Sequence, residues 1–201
     1  MNRSYDVNEE GEFAIPSLEA GTYHVESQLP DENWYLRSMT IPSAAPLSGR
    51  TATAAPASIS VSSGINLKSG KHLTGLTLLV AEGAAGLQGK IVAEVEGSPL
   101  PSQMRIHLVP SEPSDSNDLL RYGEALARSD RTFEFKNLAP GKYWLIPRVV
   151  ADRETADRQP AAWDDAERAK LRKEAEALKI AVELKACQRI SGQVVRVFNE
   201  K

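Results

Sequence analysis

The chain has 201 residues, 41% of them hydrophobic, with 24 Lys and Arg against 27 Asp and Glu. That length suits two compact domains of about 80 to 120 residues each. A near-balanced charge without a dense basic run lacks the footprint of a nucleic-acid binder, and a single cysteine, Cys187, excludes an intramolecular disulfide.

At the N-terminus, Asp6, Glu9, Glu10 and Glu12 interrupt any signal-peptide core, and the apolar run Leu76–Ala81 is too short to cross a membrane. No membrane insertion by this segment is expected. Tyr5-Asp-Val7 reads as a strand already under way, so the chain is expected to be the C-terminal piece of a longer protein. Phe13/Ile15 and Tyr23/Val25 then alternate with polar residues on either side of a tight connection. This unit recurs 120 residues later, with Phe13, Ile15, Leu18, Gly21, Tyr23 and Val25 matched by Phe133, Phe135, Leu138, Gly141, Tyr143 and Leu145. An internal repeat of this kind predicts two copies of one antiparallel β module. Gly21 and Gly141 are expected to reverse the chain through a positive φ. In the turn before it, copy one has Asn8-Glu-Glu-Gly11, where copy two has lost the glycine.

Pro42–Ala57 is rich in Pro, Ala, Ser and Thr and reads as a long loop. Ile59/Val61 and Leu76/Leu78/Val80 alternate as strands, with Gly64–Leu67 and Leu76–Ala81 closing copy one. The expected division is an incomplete β-sandwich module over 1–82 and a complete one over 83–201. In the second, Ile106/Leu108 marks a strand and Pro110–Asp118 a polar loop. Ala151–Ala162 is another such loop, leading to a helix over about Trp163–Leu178. Asp164-Asp-Ala-Glu167 resembles a capping box there, and Leu171, Ala175 and Leu178 form an apolar stripe. Lys179–Leu184 and Ile190–Phe198 read as a closing hairpin around Cys187. The predicted class is therefore all-β, tandem antiparallel β-sandwich modules with one helix near the C-terminus.

The residues offer little catalytic chemistry. His24, His72 and His107 lie at no metal-ligand spacing, and His24 and His107 read as solvent-facing strand residues. Cys187 has no histidine nearby in sequence, and no Gly-x-Ser-x-Gly occurs. No catalytic, cofactor or metal residue is assigned. Sugars stack on exposed aromatic faces, which makes Trp144, Trp163, Trp34 and Tyr35 the candidate glycan-stacking residues. Trp144 is the best of them, since Tyr143 and Leu145 should point inward. Its competing role is as the dock for the helix near Trp163.

Gly89-Lys-Ile-Val92, Leu100-Pro-Ser-Gln-Met-Arg-Ile-His-Leu-Val109 and Phe133-Glu-Phe-Lys-Asn-Leu-Ala-Pro-Gly-Lys-Tyr143 together resemble bacterial carboxypeptidase regulatory-like domains. These share the transthyretin-like, carbohydrate-binding-like β-sandwich. The resemblance covers about residues 83–150 and the second half of copy one. It implies a non-catalytic structural or interaction module of an exported, periplasmic or cell-envelope protein. Its partners would be other domains of the same longer protein, with a glycan or cell-surface protein as further candidates. Carbohydrate binding through exposed tryptophans is the alternative, and an accessory domain of a carboxypeptidase the remote one. Transthyretin-like hydrolases end in Tyr-Arg-Gly-Ser, whereas this chain ends Val-Val-Arg-Val-Phe-Asn-Glu-Lys201.

Overall fold

The computed structural model describes residues 6–42, 58–60, 64–150 and 160–197, with the backbone alone for 58–60. The loop expected at Pro42–Ala57 lies outside the described residues from residue 43 onward, as do 151–159 of the loop before the helix. The described residues are mostly β-strands: β1 (Gly21–Tyr23), β2 (Trp34–Pro42), β3 (Ser58–Ser60), β4 (Ile65–Leu67), β5 (Thr77–Glu82), β6 (Ala85–Ala93) and β7 (Met104–Pro110). After these come β8 (Gly123–Leu126), β9 (Thr132–Leu138), β10 (Gly141–Val149), helix α1 (Asp165–Leu178), β11 (Ala181–Leu184) and β12 (Arg189–Val197).

The later strands form two facing sheets, ordered β11-β10-β7-β8 and β12-β6-β9. The alternation read in the sequence supplies the space between them: Leu87, Ile91, Met104, Ile106, Leu108, Phe133, Phe135, Tyr143, Leu145, Leu184 and Val195 form one buried cluster. Phe133 and Phe135 meet edge to face, ring centroids 5.9 Å apart. Pairing is antiparallel except between β12 and β6, which run parallel. The expected closing hairpin does not form. β11 pairs with β10 and β12 with β6, so the turn at Lys185–Gln188 carries the chain from one sheet to the other. Alternation marks a strand but not its partner, and a short turn serves a crossing between sheets as readily as a hairpin.

Strand β7 is buried on both faces, because α1 covers the outer one. Val109 and Ile146 pack there against Leu171, Ala175 and Ala161, with Tyr122 and Trp144 at the margin. His107, expected to face solvent, is therefore only 3% exposed. The helix begins two residues later than the sequence suggests, Trp163 closing a 3-10 turn over Ala161–Trp163. Its cap is the expected one: Asp164 Oδ1 accepts from the Glu167 amide at 2.9 Å. Leu171 and Ala175 are buried as the stripe requires, whereas Leu178 stays exposed. Glu174 pairs with Arg148 on β10 at 2.7 Å, and buried Arg168 turns back to Asp165 and to the Ala162 carbonyl.

Earlier in the chain, β1 pairs with β4 and a second sheet runs β3-β2-β5. Met39 and Ile65 form their small core, with Val25, Ile41, Leu76, Leu78 and Leu120 against it. Phe13 and Ile15, expected on a strand, form none, and Val80, expected inward, is exposed. Several turn hydrogen bonds of the two similar stretches nevertheless match. Asn8 N donates to Glu12 O at 2.9 Å as Arg128 N does to Thr132 O at 2.8 Å, and Gly11 N to Asn8 O as Arg131 N to Arg128 O. Gly11 and Arg131 take positive φ, as do Ser17 and Asn137. Tyr23 donates to Glu19 O at 2.8 Å and Tyr143 to Ala139 O at 2.7 Å, the same corner in both copies.

The likeness extends past the helix with the offset reduced to 117. Gly21 pairs with Leu67 and Tyr23 with Ile65, just as Gly141 pairs with Leu184 and Tyr143 with Val182. Lys71 N donates to Lys68 O, and Gln188 N to Lys185 O, both at 3.1 Å. Gly70 and Gly75 then match Cys187 and Gly192, all four at positive φ. The reversal assigned to Gly21 and Gly141 is instead made at Ser17 and Asn137. A Cβ at Gly141 would lie 2.8 Å from Arg121 Nη1, the far end of a flexible side chain, and 3.4 Å from the Tyr143 ring.

Candidate functional site

The polar and aromatic side chains that converge do so where the two copies meet. A cleft of about 450 Å³ opens there, with Met39, Leu36, Leu119, Leu120 and Leu171 among its apolar lining. Trp163 stands in its wall, its indole stacked on the His24 imidazole with centroids 3.9 Å apart and planes 12° from parallel. His24 follows β1 at the position equivalent to Trp144 on β10, so both outer-face rings meet the segment around α1. His24 Nδ1 is buried without a hydrogen-bond partner among the described residues. Burial there lowers the His24 pKa from its ordinary value, and Glu26 opposes the shift.

Glu124 on β8 organises the other wall. Its carboxylate lies 3.5 Å from His107 Nδ1 and 3.9 Å from Arg105 Nε, and it accepts from the Ala161 amide at 3.4 Å. The neighbouring Tyr122 hydroxyl donates to Ser116 O at 2.8 Å, and burial raises its pKa. Glu26 and Lys136 also reach the cleft. No group of three or more His, Cys, Asp or Glu side chains suited to hold a metal occurs among the described residues.

Beside the cleft, long polar side chains of copy two grip the turn before β2. Arg189 donates through Nη2 to Glu32 O at 2.6 Å and through Nη1 to Ala84 O at 2.5 Å. Asn137 Nδ2 donates to Asp31 O at 2.8 Å and Trp34 O at 2.7 Å, and Lys136 meets Glu32 at 2.6 Å. The left-handed backbone that reverses the chain at Asn137 also aims its amide across the junction.

The four aromatic candidates do not share a surface. Trp144 is half-buried beneath α1, with the Arg172 guanidinium carbon 5.8 Å from its ring centroid, which is the helix-docking role. Trp163 lines the cleft but has one face taken by His24. Trp34 and Tyr35 begin β2, paired with Glu82 and Ala81. Sequence reading missed Glu124, Arg105, Tyr122, Asn137 and Arg189. Only Asn137 carried a local signal, an Asn at a chain reversal; Glu124, Arg105 and Arg189 act through partners distant in sequence. No helix among the described residues is long and apolar enough to cross a membrane. No family model, curated protein or solved structure matches the chain.

Proposed function

We propose that the chain is a non-catalytic pair of tandem β-sandwich modules, of the carboxypeptidase regulatory-like kind, within a larger exported or cell-envelope bacterial protein. Its role is architectural: it holds neighbouring domains or a binding surface in a set orientation. The observation that carries this reading is the junction. Arg189 and Asn137 each bond to two backbone carbonyls across or beside it, and a side chain holding main chain in this way fixes relative orientation rather than substrate chemistry. Small-angle scattering of the chain against the double variant R189A/N137A tests it. A rigid wild type and a variant of broader size distribution support a spacer, and identical profiles count against it. Immunodetection in the envelope fraction of the source cells tests the location.

The cleft favours a second reading, carbohydrate binding, with Trp163 and Tyr122 beside Glu26, Glu124 and Lys136 as a mixed aromatic and polar lining. Acrylamide quenching of tryptophan fluorescence with soluble polysaccharides distinguishes the two. Saccharide-dependent protection that is lost in W163A supports the sugar site, and unresponsive indoles leave the spacer.

A further inference from the structure

Contacts of two kinds hold the earlier strands against the later sandwich. At the link from β5 to β6, the Gly83 and Ala84 amides donate to Asn33 O at 2.9 and 2.8 Å, and Arg189 and Asn137 grip the same turn through main-chain carbonyls. Leu120 adds an apolar contact to the Met39 and Ile65 core. None of these groups changes charge between about pH 5 and about pH 8. The other kind is the stack of His24 on Trp163, which joins the end of β1 to the segment before α1, far from the link in sequence. Histidine is the side chain whose ordinary charge change falls in that interval.

The imidazole sits in a slot that suits its neutral form. Gly64 makes way for it, since at φ +93° a Cβ there would lie 2.9 Å from His24 Cε1 and 3.2 Å from Nε2. Nδ1 is buried without a hydrogen-bond partner among the described residues. A neutral ring tolerates this by carrying its proton on Nε2, so that Nδ1 presents a lone pair. An imidazolium must put an N–H donor at Nδ1, where neither water nor an acceptor meets it. The indole face attracts a cation but accepts no hydrogen bond from Nδ1, because that N–H would lie in the plane of a ring only 12° from parallel to it. The charges nearby do not rescue the cation. Glu26 favours it, yet burial outweighs Glu26. Across the cleft, Glu124 is engaged by His107, Arg105 and the Ala161 amide, and Lys136 by Glu32 and Glu134. After Trp163, Asp164 caps α1 and Asp165 pairs with Arg168, while β4 brings no ionisable side chain.

We infer that the His24–Trp163 stack is an acid-opened latch: a proton taken up by the imidazole drives it off the indole, parts β1 from the segment before α1 and widens the cleft between them. The latch gives the junction a pH-dependent stiffness and rests on the architectural reading above. One solvent proton adds to Nδ1, and no other bond is made or broken except the contacts of the stack. The link, the grip of Arg189 and Asn137 and the Leu120 contact stay in place, so the change is a swing of β1 and β4 and not a separation of the two parts. The other histidines are placed differently. His72 is exposed, and His107 faces Glu124 on the neighbouring strand of its own sheet, so a proton on either spans no contact between the parts.

Acrylamide quenching of Trp163, read as the difference between the chain and its W163F variant, tests the latch. It should rise about twofold or more from about pH 7.5 to about pH 5 as the open state becomes populated. In H24F an apolar ring keeps the stack at both pH values, and no rise is expected. Proton NMR of the unsubstituted chain supplies a readout that needs no variant. Cross-relaxation between the His24 and Trp163 rings should be present at neutral pH and lost on acidification, with a midpoint below the ordinary histidine value of 6.5 that coincides with the rise in quenching. Cross-relaxation that survives protonation of His24, quenching that follows the titration of His72 or His107 instead, or an equal rise in H24F overturns the proposal. The scattering comparison of R189A/N137A is made at neutral pH and involves no histidine titration, so the spacer reading and the latch can fail separately.

Discussion

The repeated tyrosine corner sets one bond in two environments, and removing each hydroxyl measures what burial adds. The Tyr143 ring is fully buried and its hydroxyl donates to Ala139 O, itself in a buried residue. In Y143F the ring stays and the carbonyl loses that donor. The lost bond is worth about 1 kcal/mol, and the desolvated acceptor adds about as much again, so Y143F should cost about 2 kcal/mol. Tyr23 makes the same bond to Glu19 O at an exposed site, where water replaces the hydroxyl, and Y23F should stay within about 0.5 kcal/mol. Urea denaturation of both variants at about pH 7, followed by exchange-detected protection of residues 133–145, reads the difference. A pH series supplies a second signature. Burial pushes the Tyr143 phenol up to about 12 from its ordinary 10. Between these values the unfolded chain gives up the proton first and binds fewer protons than the native one, so wild-type stability falls as pH rises. Y143F has no such group, so the gap between the two proteins should narrow from about pH 10 upward. Equal costs for Y143F and Y23F, or a gap that does not narrow, would refute the equivalence of fold and difference of burial on which this rests.

Asn137 joins a left-handed turn to two bonds across the junction, so N137A should cost about 2 kcal/mol. N137G, which keeps the backbone but not the bonds, should recover about a third to a half of that, as measured by thermal melts. G89V should prevent copy two from folding, because its Cβ would sit 2.4 Å from both the Gln193 carbonyl and the Phe133 ring, and near-native melting of that variant would show the close approach to be dispensable. Burial lowers the His24 pKa, so the folded state binds fewer protons than the unfolded one as pH falls through the ordinary histidine range. Stability should therefore be lost as pH falls through that range, and H24F should show a flatter profile in acid titration followed by tryptophan fluorescence.

Much of the fold was legible because strand patterns are local. The pairs Phe133/Phe135 and Ile106/Leu108 reported their inward faces through alternation alone, and Asp164 and Glu167 marked the helix start through a cap that spans a single turn. The repeat from Gly11 to Val25 was equally plain. Its continuation, Leu67-Lys-Ser-Gly70 with Leu184-Lys-Ala-Cys187, was also present in the sequence but displaced by three residues, since unequal insertions separate β1 from β4 and β10 from β11. The candidate site was far less readable. Its residues come from several strands, the turn before β2 and the segment before α1, and pairs close in sequence, such as Tyr122 and Glu124, meet groups that other elements supply.

What the sequence by itself determined is the class, mostly strands with one helix, and the inward faces of strands such as β7, β9 and β10. The tertiary structure alone decided which strands pair. It sent β11 and β12 to opposite sheets, buried His107 under α1, set Trp144 against the helix rather than solvent, and paired β2 with β5. The physical reason is that periodicity records how a residue is oriented relative to its own backbone. What covers that residue depends on segments tens of residues away, whose choice is settled by the burial and backbone hydrogen bonding of the whole chain together.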